Sequence, residues 1–428
     1  FSVLRSRAPC EFFWSACPVV RDCLSASLFE RCLASSRASV GRMALMGALA
    51  VLLASCAGRM EAPGSVTAPA PTNALAAGVR PGPAFASLPV GAMDAGAALA
   101  GFAESCPKLL VREDVSGLTR AEDWQSACAA SATWSQGDAS RFFATYFETV
   151  RVGEGAAFAT GYYEPDIAGS RDHIPGYDVP VYGMPDDLVR ARDGDAERLD
   201  NGRMPVGRYD EGGHFTRYYD RAAIEDGALE GRAPIIAWAR DPVEVFFLQV
   251  QGSGMLRAPD GKVMRIGYAG QNGHGYTAIG SLMRQRGLLG DGPGQYAASM
   301  QGIMQYIREN PQEGAALMRE NRSFVFFREL TGDGPVGALG VTVRAHASVA
   351  TDPKFVPLGA PVFLDLDRHE ADGLWVAQDT GGAIKGANRF DTFWGNGEEA
   401  RATAGDMTGR GNALLLLPKG TLARLGAL

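Results

Sequence analysis

Two aspartates twelve residues apart bound the stretch of this chain best suited to proton chemistry. The run Val376-Ala377-Gln378-Asp379-Thr380-Gly381-Gly382-Ala383-Ile384-Lys385-Gly386 closes on Arg389-Phe390-Asp391. An apolar segment carries Asp379 out of the core. The glycines that follow let backbone approach a ligand, and Lys385 supplies a cation beside them. Asp391 lies between Phe390 and the apolar pair Phe393 and Trp394. A carboxyl beside aromatic rings is desolvated, which disfavours its charged form and raises its pKa toward that of a general acid. Against this stands the ordinary use of aspartate as a turn or cap residue, which competes most strongly at Asp379.

A second constellation is Phe246-Phe247-Leu248-Gln249-Val250-Gln251-Gly252-Ser253-Gly254, followed by Arg265-Ile266-Gly267-Tyr268-Ala269-Gly270-Gln271-Asn272-Gly273-His274-Gly275-Tyr276. It presents Gln, Ser, Tyr, Asn and His on glycine-rich turns. Such groups suit hydroxyl-rich ligands, because each donates or accepts and aromatic faces stack on sugar rings. An ordinary hairpin loop explains the same composition equally well. The glycines of 267–275 do not fit dinucleotide spacing, and no phosphate loop is present. The five histidines are scattered without metal-ligand spacing, so neither a metal nor a cofactor is expected. The net charge of −7 and the lack of any Lys/Arg-rich run argue against nucleic acid as a partner.

The elements around these residues read as mainly β. The 428 residues exceed one ordinary domain, and 54 glycines favour short strands and turns. Helical spacing appears at 93–104, 120–130 and 138–149, where Phe142, Phe143, Tyr146 and Phe147 form a core stripe. Ala157–Tyr163 reads as a strand ending at Glu164-Pro165. The segment 166–322 holds strand-like runs at Val243–Gln251 and Lys262–Tyr268. It also holds a helix from Tyr276 to Leu289 and two more between Gln295 and Glu320. Phe324–Glu329, Val341–Val343, Val362–Asp365, Trp375–Asp379 and Ala413–Leu417 read as strands of a final small barrel.

The N-terminal segment reads as an address. Residues 43–56 form an apolar run too short to span a bilayer but of signal-peptide length. Leu53-Ala54-Ser55-Cys56 has the form of a lipobox, so lipidation is expected at Cys56. Residues 57–84 form a Pro/Ala/Gly-rich flexible tether. Ala57 and Gly58 follow the cysteine where an inner-membrane retention signal would carry aspartate. The expected location is therefore the periplasmic face of the outer membrane, with a lipid anchor. Residues 1–39 lack periodicity and read as sequence upstream of the translation start. Cys106 and Cys128 are the two cysteines of the body, and an oxidising periplasm favours a disulfide between them.

The motifs Thr160-Gly161-Tyr162-Tyr163-Glu164-Pro165, Gln249–Gly254, Gly267–Tyr276, Asp352-Pro353 through Pro357-Leu358-Gly359, and the Asp379–Asp391 block together carry a resemblance. Over residues 85–428 the chain resembles the membrane-bound lytic murein transglycosylase A family, whose C-terminal unit is the three-aspartate 3D domain. The resemblance implies a double-psi β-barrel from 85–165 plus 323–428, interrupted by an inserted β-domain at 166–322, with a glycan groove between them. It implies that Asp391 is the catalytic residue, supported by Asp379, Asp352 and Lys385. Thr160, Tyr162, Gln251, Ser253 and Asn272 fall on the groove motifs as substrate-binding positions. Arg389 stands where the family carries histidine, and one extra residue lies between Lys385 and Phe390.

The implied enzyme is a lyase, an exotransglycosylase acting on peptidoglycan glycan strands without cofactor. It cleaves the β-1,4 bond between N-acetylmuramic acid and N-acetylglucosamine, leaving 1,6-anhydromuramic ends. Cell-wall synthesis proteins are implied partners. Three rivals remain at this stage. One is an inverting glycoside hydrolase pairing Asp391 with Asp379. Another is a non-catalytic peptidoglycan-binding module. The third is an aspartic protease read from Asp379-Thr380-Gly381, which lacks the second such motif its dyad requires.

Overall fold

Strands numbered along the chain build three sheets in a computed structural model that describes residues 70–199, 202–332 and 334–427. Cys56, the apolar run before it and the first part of the tether lie outside the described residues. The largest sheet contains β1 (Val79–Pro81), β2 (Phe147–Val152), β3 (Ala156–Glu164), β13 (Ser348–Thr351), β14 (Pro361–Leu366), β15 (Gly373–Asp379), β16 (Arg389–Asn396) and β17 (Thr408–Pro418). Their order is β1-β2-β17-β14-β15-β13-β16-β3.

The long strand β17 closes this sheet. Its first half pairs with β3, and its second half pairs with β2. The path β17-β14-β15-β13-β16-β3 therefore returns to β17 as a ring of six strands. Two neighbour pairs in the ring are parallel, β3 with β16 and β13 with β15. From Gly373 to Gln378 every residue of β15 is buried, the pattern of a strand covered on both faces. One cover is the helix Ala92–Leu109, whose Phe102 packs with Trp124, Phe142 and Phe147. A disulfide joins Cys106 on this helix to Cys128 on the helix Gln125–Ser131.

The second sheet contains β4 (Asp166–Ser170), β5 (Val179–Tyr182), β9 (Ile235–Ala239), β10 (Ser253–Arg257), β11 (Val263–Gln271) and β12 (Val325–Glu329). Its order is β12-β11-β10-β4-β9-β5. The third holds β6 (Val189–Arg190), β7 (Val206–Tyr209) and β8 (Phe215–Arg217). The helices Ile279–Gln285, Met300–Glu309 and Pro311–Arg319 pack together with their own buried cluster. Among the described residues, no helix is long and apolar enough to cross a membrane.

The structure revises several local expectations. Phe324–Glu329 does not join the terminal barrel, because β12 pairs antiparallel with β11 in the second sheet. The apolar run Val243–Gln251 is not a strand but most of the helix Pro242–Gln251. Its ends carry the usual signals: Asp241 accepts from Val243 N, Pro242 opens the first turn, and Gly252 takes φ 83° just past the end. Val341–Val343 lies in a loop, where Thr342 makes only an isolated bridge to Val336. The helix expected from Tyr276 spans only Ile279–Gln285, and the one expected to reach residue 149 stops at Tyr146. The end of the tether is also structured. Asn73 caps a short helix Ala74–Ala77, and β1 then pairs with β2.

Candidate active site

The parallel pairing of β3 with β16 sets Asp391 directly beside Thr160, although 231 residues separate them. The Thr160 hydroxyl donates to Asp391 Oδ1. Arg389 Nη2 donates to Thr160 Oγ1 at 2.9 Å. Thr160 and Tyr162 share one face of β3, since side chains alternate along a strand. Gly161 between them is sterically required. A Cβ there would sit 2.7 Å from Trp394 Nε1, 2.8 Å from Met407 Cβ and 2.9 Å from Ala404 Cα.

Tyr162 reaches the second carboxyl. Its hydroxyl donates to Asp379 Oδ2 at 3.2 Å. Asp379 Oδ1 also accepts the backbone N–H of Ala338 at 2.9 Å and of Thr380 at 2.8 Å. Burial raises the Asp379 pKa against these three hydrogen bonds. The Tyr162 ring packs 4.9 Å from Phe393. Burial, and then the charges of Asp379 and Asp391, hold the Tyr162 phenol well above its usual range, so it stays a neutral donor.

Asp391 is held above the usual carboxylate range. Burial pushes its carboxyl up to about 6, opposed by the Thr160 hydrogen bond and the Arg389 charge and reinforced by Asp379. Phe393, two residues on along the strand, lies in a buried cluster with Tyr162, Ala350 and Ile384, whereas Phe390 and Trp394 belong to the core on the other face of β16. Tyr276 faces Asp391 from the loop after β11. Burial and then the Asp391 charge, opposed by Arg221, push its phenol up to about 12. The turn at Gly382 lies against Tyr276, within 3.4 Å of where a Cβ would stand. The two sheets therefore both contribute to the surroundings of one carboxyl.

The remaining candidates lie around this centre. Asp352 is buried; its Oδ2 accepts Gly386 N at 2.8 Å and its Oδ1 accepts Lys354 N at 3.1 Å. It fastens the loop between the two catalytic candidates, on which Lys385 is exposed. Gln251 ends its helix with Oε1 accepting Tyr163 N at 3.0 Å, tying that helix to β3. Ser253 opens β10, half-buried. Asn272 is fully buried and donates to the carbonyls of Tyr219 and Arg322, each at 2.9 Å. Its Oδ1 accepts from the N–H groups of Phe324 and His274. Those bonds brace the second sheet and occupy the whole Asn272 amide. A cavity of about 450 Å³ is lined by Tyr163, Tyr177, Arg257 and Arg401, on the side of β3 away from Thr160. No group of three or more His, Cys, Asp or Glu side chains among the described residues is placed to hold a metal ion.

Comparison with known proteins places this arrangement. Residues 158–328 match the MltA specific insert domain, and residues 347–417 match the 3D domain. A crystal structure of a membrane-bound lytic murein transglycosylase from Agrobacterium tumefaciens is 31% identical with a TM-score of 0.72. The match covers 81% of this chain and 99% of that one. The chain belongs to the membrane-bound lytic murein transglycosylase A family. A relative of that name from Vibrio cholerae is 29% identical over 263 residues, which is 59% of this chain and 63% of the relative's length. The solved Escherichia coli MltA with bound chitohexaose is 26% identical, with a TM-score of 0.52 and coverage of 77% and 90%.

The two matched regions meet at the carboxyl pair. Thr160 and Tyr162 come from the first, whereas Asp352, Asp379, Lys385 and Asp391 come from the second. Sequence reasoning missed two contributors. Tyr276 was visible only as the end of a glycine-rich run, and Arg389 only as a departure from the family pattern. Gln378 was likewise unmarked. Its buried amide donates to Gly101 O at 2.9 Å and Ser105 Oγ at 3.0 Å and accepts from Ser348, locking β15 to the covering helix and to β13.

Proposed function

We propose that this chain is a lytic transglycosylase of peptidoglycan in which Asp391 is the sole acid and base. Neutral Asp391 protonates the oxygen of the β-1,4 bond between N-acetylmuramic acid and N-acetylglucosamine as that bond breaks. The carboxylate then takes the proton from the 6-hydroxyl of the same muramyl residue, and that oxygen closes on C1 as a 1,6-anhydro ring. No water enters, so one carboxyl serves both steps. Glycosidases that use water need a second carboxyl as base or nucleophile. The observation that carries this reading is the Asp391 carboxyl, raised to about 6 by burial and set against the Thr160 hydroxyl by the pairing of β16 with β3. Asp379 supports it, since its oxygens already accept three hydrogen bonds and so brace loops around Asp391.

The ring of six strands, with its two parallel pairs, is read as a double-psi β-barrel interrupted by an inserted β-domain, the groove for glycan running between them. Thr160, Tyr162, Gln251 and Ser253 would line or brace that groove, with Lys385 on its loop. Chitohexaose in the Escherichia coli relative supports a sugar polymer as ligand. The lipobox at Cys56 supports a lipid anchor at the periplasmic face of the outer membrane, near wall-synthesis partners.

Mass analysis of products from isolated peptidoglycan tests the reaction. Products lighter by one water than reducing-end fragments support it. Reducing ends, with Asp379 and Asp391 equally essential, would establish the two-carboxylate hydrolase. Glycan binding with no product would establish the non-catalytic module. Asp391→Asn should cost about 10²- to 10⁴-fold in rate while glycan binding survives.

A further inference from the structure

Arg389 lies half-buried two residues before Asp391 on the same strand. Its guanidinium stacks on the Phe158 ring, 4.8 Å from the centroid, and Nη1 donates to the Phe390 carbonyl. These contacts fix the plane of the fork and aim Nη2 at Thr160 Oγ1, 2.9 Å away. A guanidinium has five donors and no acceptor, and a threonine hydroxyl has one hydrogen. If Thr160 Oγ1 accepts from Arg389, its single hydrogen is free to go to Asp391 Oδ1, with which that oxygen is in hydrogen-bond contact.

We propose that Arg389 is a positioning residue for the proposed reaction, acting through Thr160: it holds the threonine hydroxyl as a donor to Asp391 Oδ1, so the acidic proton resides on Oδ2. Oδ1 then accepts in both states of the carboxyl. Oδ2 alone delivers and recovers the proton. Without Arg389 the threonine hydroxyl could turn and accept from a protonated Oδ1, dividing the acid between two orientations. The titratable and charged groups facing Asp391 are Tyr162 on β3, Asp379 on β15, Tyr276 from the loop after β11 and Arg389 on its own strand. Tyr162 is committed to Asp379, and both phenols stay neutral. Arg389 is therefore the cation of this set, and its effect on the acid has a definite sign.

This inference rests on Asp391 being the acid, and the test separates the two. The full chain is labelled with ¹³C at aspartate carboxyls, and Asp391 is titrated by NMR, assigned by its absence in Asp391→Asn. Four proteins are compared: wild type, Arg389→Met, Thr160→Val and the double variant. Arg389→Met and Thr160→Val should each raise the Asp391 midpoint by ~1 pH unit, the scale of one lost charge or hydrogen bond. Because the Arg389 charge also acts on Asp391 directly, the double variant should exceed Thr160→Val alone but fall short of the sum of the two single shifts. Arg389→Lys, which keeps a charge and a donor, should return the midpoint toward wild type and show that the methionine effect is not unfolding. Equal shifts from Arg389→Met with and without the threonine hydroxyl would overturn the relay, as would no shift. The alkaline limb of kcat/KM on solubilised glycan strands should follow the same order. A limb that ignores these midpoints while the NMR coupling holds would sink the catalytic reading of Asp391 and leave the relay standing.

Discussion

Thr160 and Tyr162, two residues apart on β3, divide the two carboxyls between them: the first donates to Asp391 and the second to Asp379. One strand thereby sets both acids, and its alternation keeps both donors on one face. The carboxyls differ in what else they touch. Asp379 accepts two backbone N–H groups as well, whereas Asp391 has the Arg389 charge nearby.

This difference gives opposite expectations for two neutralising substitutions. In Asp379→Asn, the amide oxygen can still accept from Ala338 and Thr380, and the amide nitrogen can donate to the Tyr162 hydroxyl. The fold should survive. Removing the Asp379 charge also removes a cause that raises the Asp391 pKa. The alkaline limb of kcat/KM should move to lower pH, and the rate at neutral pH should fall several-fold, far short of the loss in Asp391→Asn. An upward shift of the limb would contradict the charge coupling.

Asp391 should also leave a mark on stability. Its folded pKa of about 6 lies above the ~3.9 of an unfolded aspartate. The folded state therefore keeps its proton to higher pH than the unfolded chain. Stability falls as pH rises from about 4 to about 6 and stays lower beyond that. Asp391→Asn removes the cost. The variant should match wild type near pH 4 and exceed it at pH 8 by on the order of 2 kcal/mol. Thermal unfolding across pH reads this directly, and a margin independent of pH would argue against a buried, titrating carboxyl.

The site was partly legible because its residues sit on short, strongly patterned segments. Thr160-Gly161-Tyr162 and the Asp379–Asp391 block carry both the apolar alternation of strands and the unusual polar residues. What the sequence hid was partnership. The pairing of Thr160 with Asp391 spans 231 residues, and nothing local encodes it. Val243–Gln251 was misread because valine and phenylalanine favour strands, although Asp241-Pro242 and Gly252 marked a helix. Residue type likewise cannot reveal that four backbone groups occupy the Asn272 amide. Asp352, by contrast, could be placed only by the family motif, and its bond to Gly386 explains its use as a loop fastener.

The bond between Cys106 and Cys128 closes a loop with a sequence separation of 22. On the chain-entropy model, a Cys106→Ser/Cys128→Ser variant should lose ~3 kcal/mol of unfolding free energy. The loss should appear as a lower denaturant midpoint with little change in slope. Cys106 lies on the helix that covers β15 and Cys128 on the helix packed against it, away from the two carboxyls, so activity at 25 °C should be retained. A variant as stable as the oxidised wild type would show that the helices hold without the bond.

Gly161 offers the sharpest link between packing and chemistry. It lies between the two residues that hold the carboxyls, and Ala404 of the helix Gly397–Asp406 packs against it. An added methyl would meet a ring nitrogen, a side-chain carbon and a backbone carbon, all under 3.0 Å away. The Trp394 indole cannot swing aside freely, because its Nε1 donates to Thr392 Oγ1 at 2.9 Å and that hydroxyl donates to Thr160 O at 3.0 Å. Relief must come from the helix or from the strand itself. Gly161→Ala should therefore destabilise by roughly 1–3 kcal/mol, the usual cost of overpacking. It should also lower kcat more than it raises KM, because a displaced β3 moves Thr160 and Tyr162 off Asp391 and Asp379. Gly176→Ala provides the control for an added methyl in open space, although its positive φ adds local strain. If Gly161→Ala lost only as much stability as that control and kept its full rate, the close packing of β3 would not be what places the two donors.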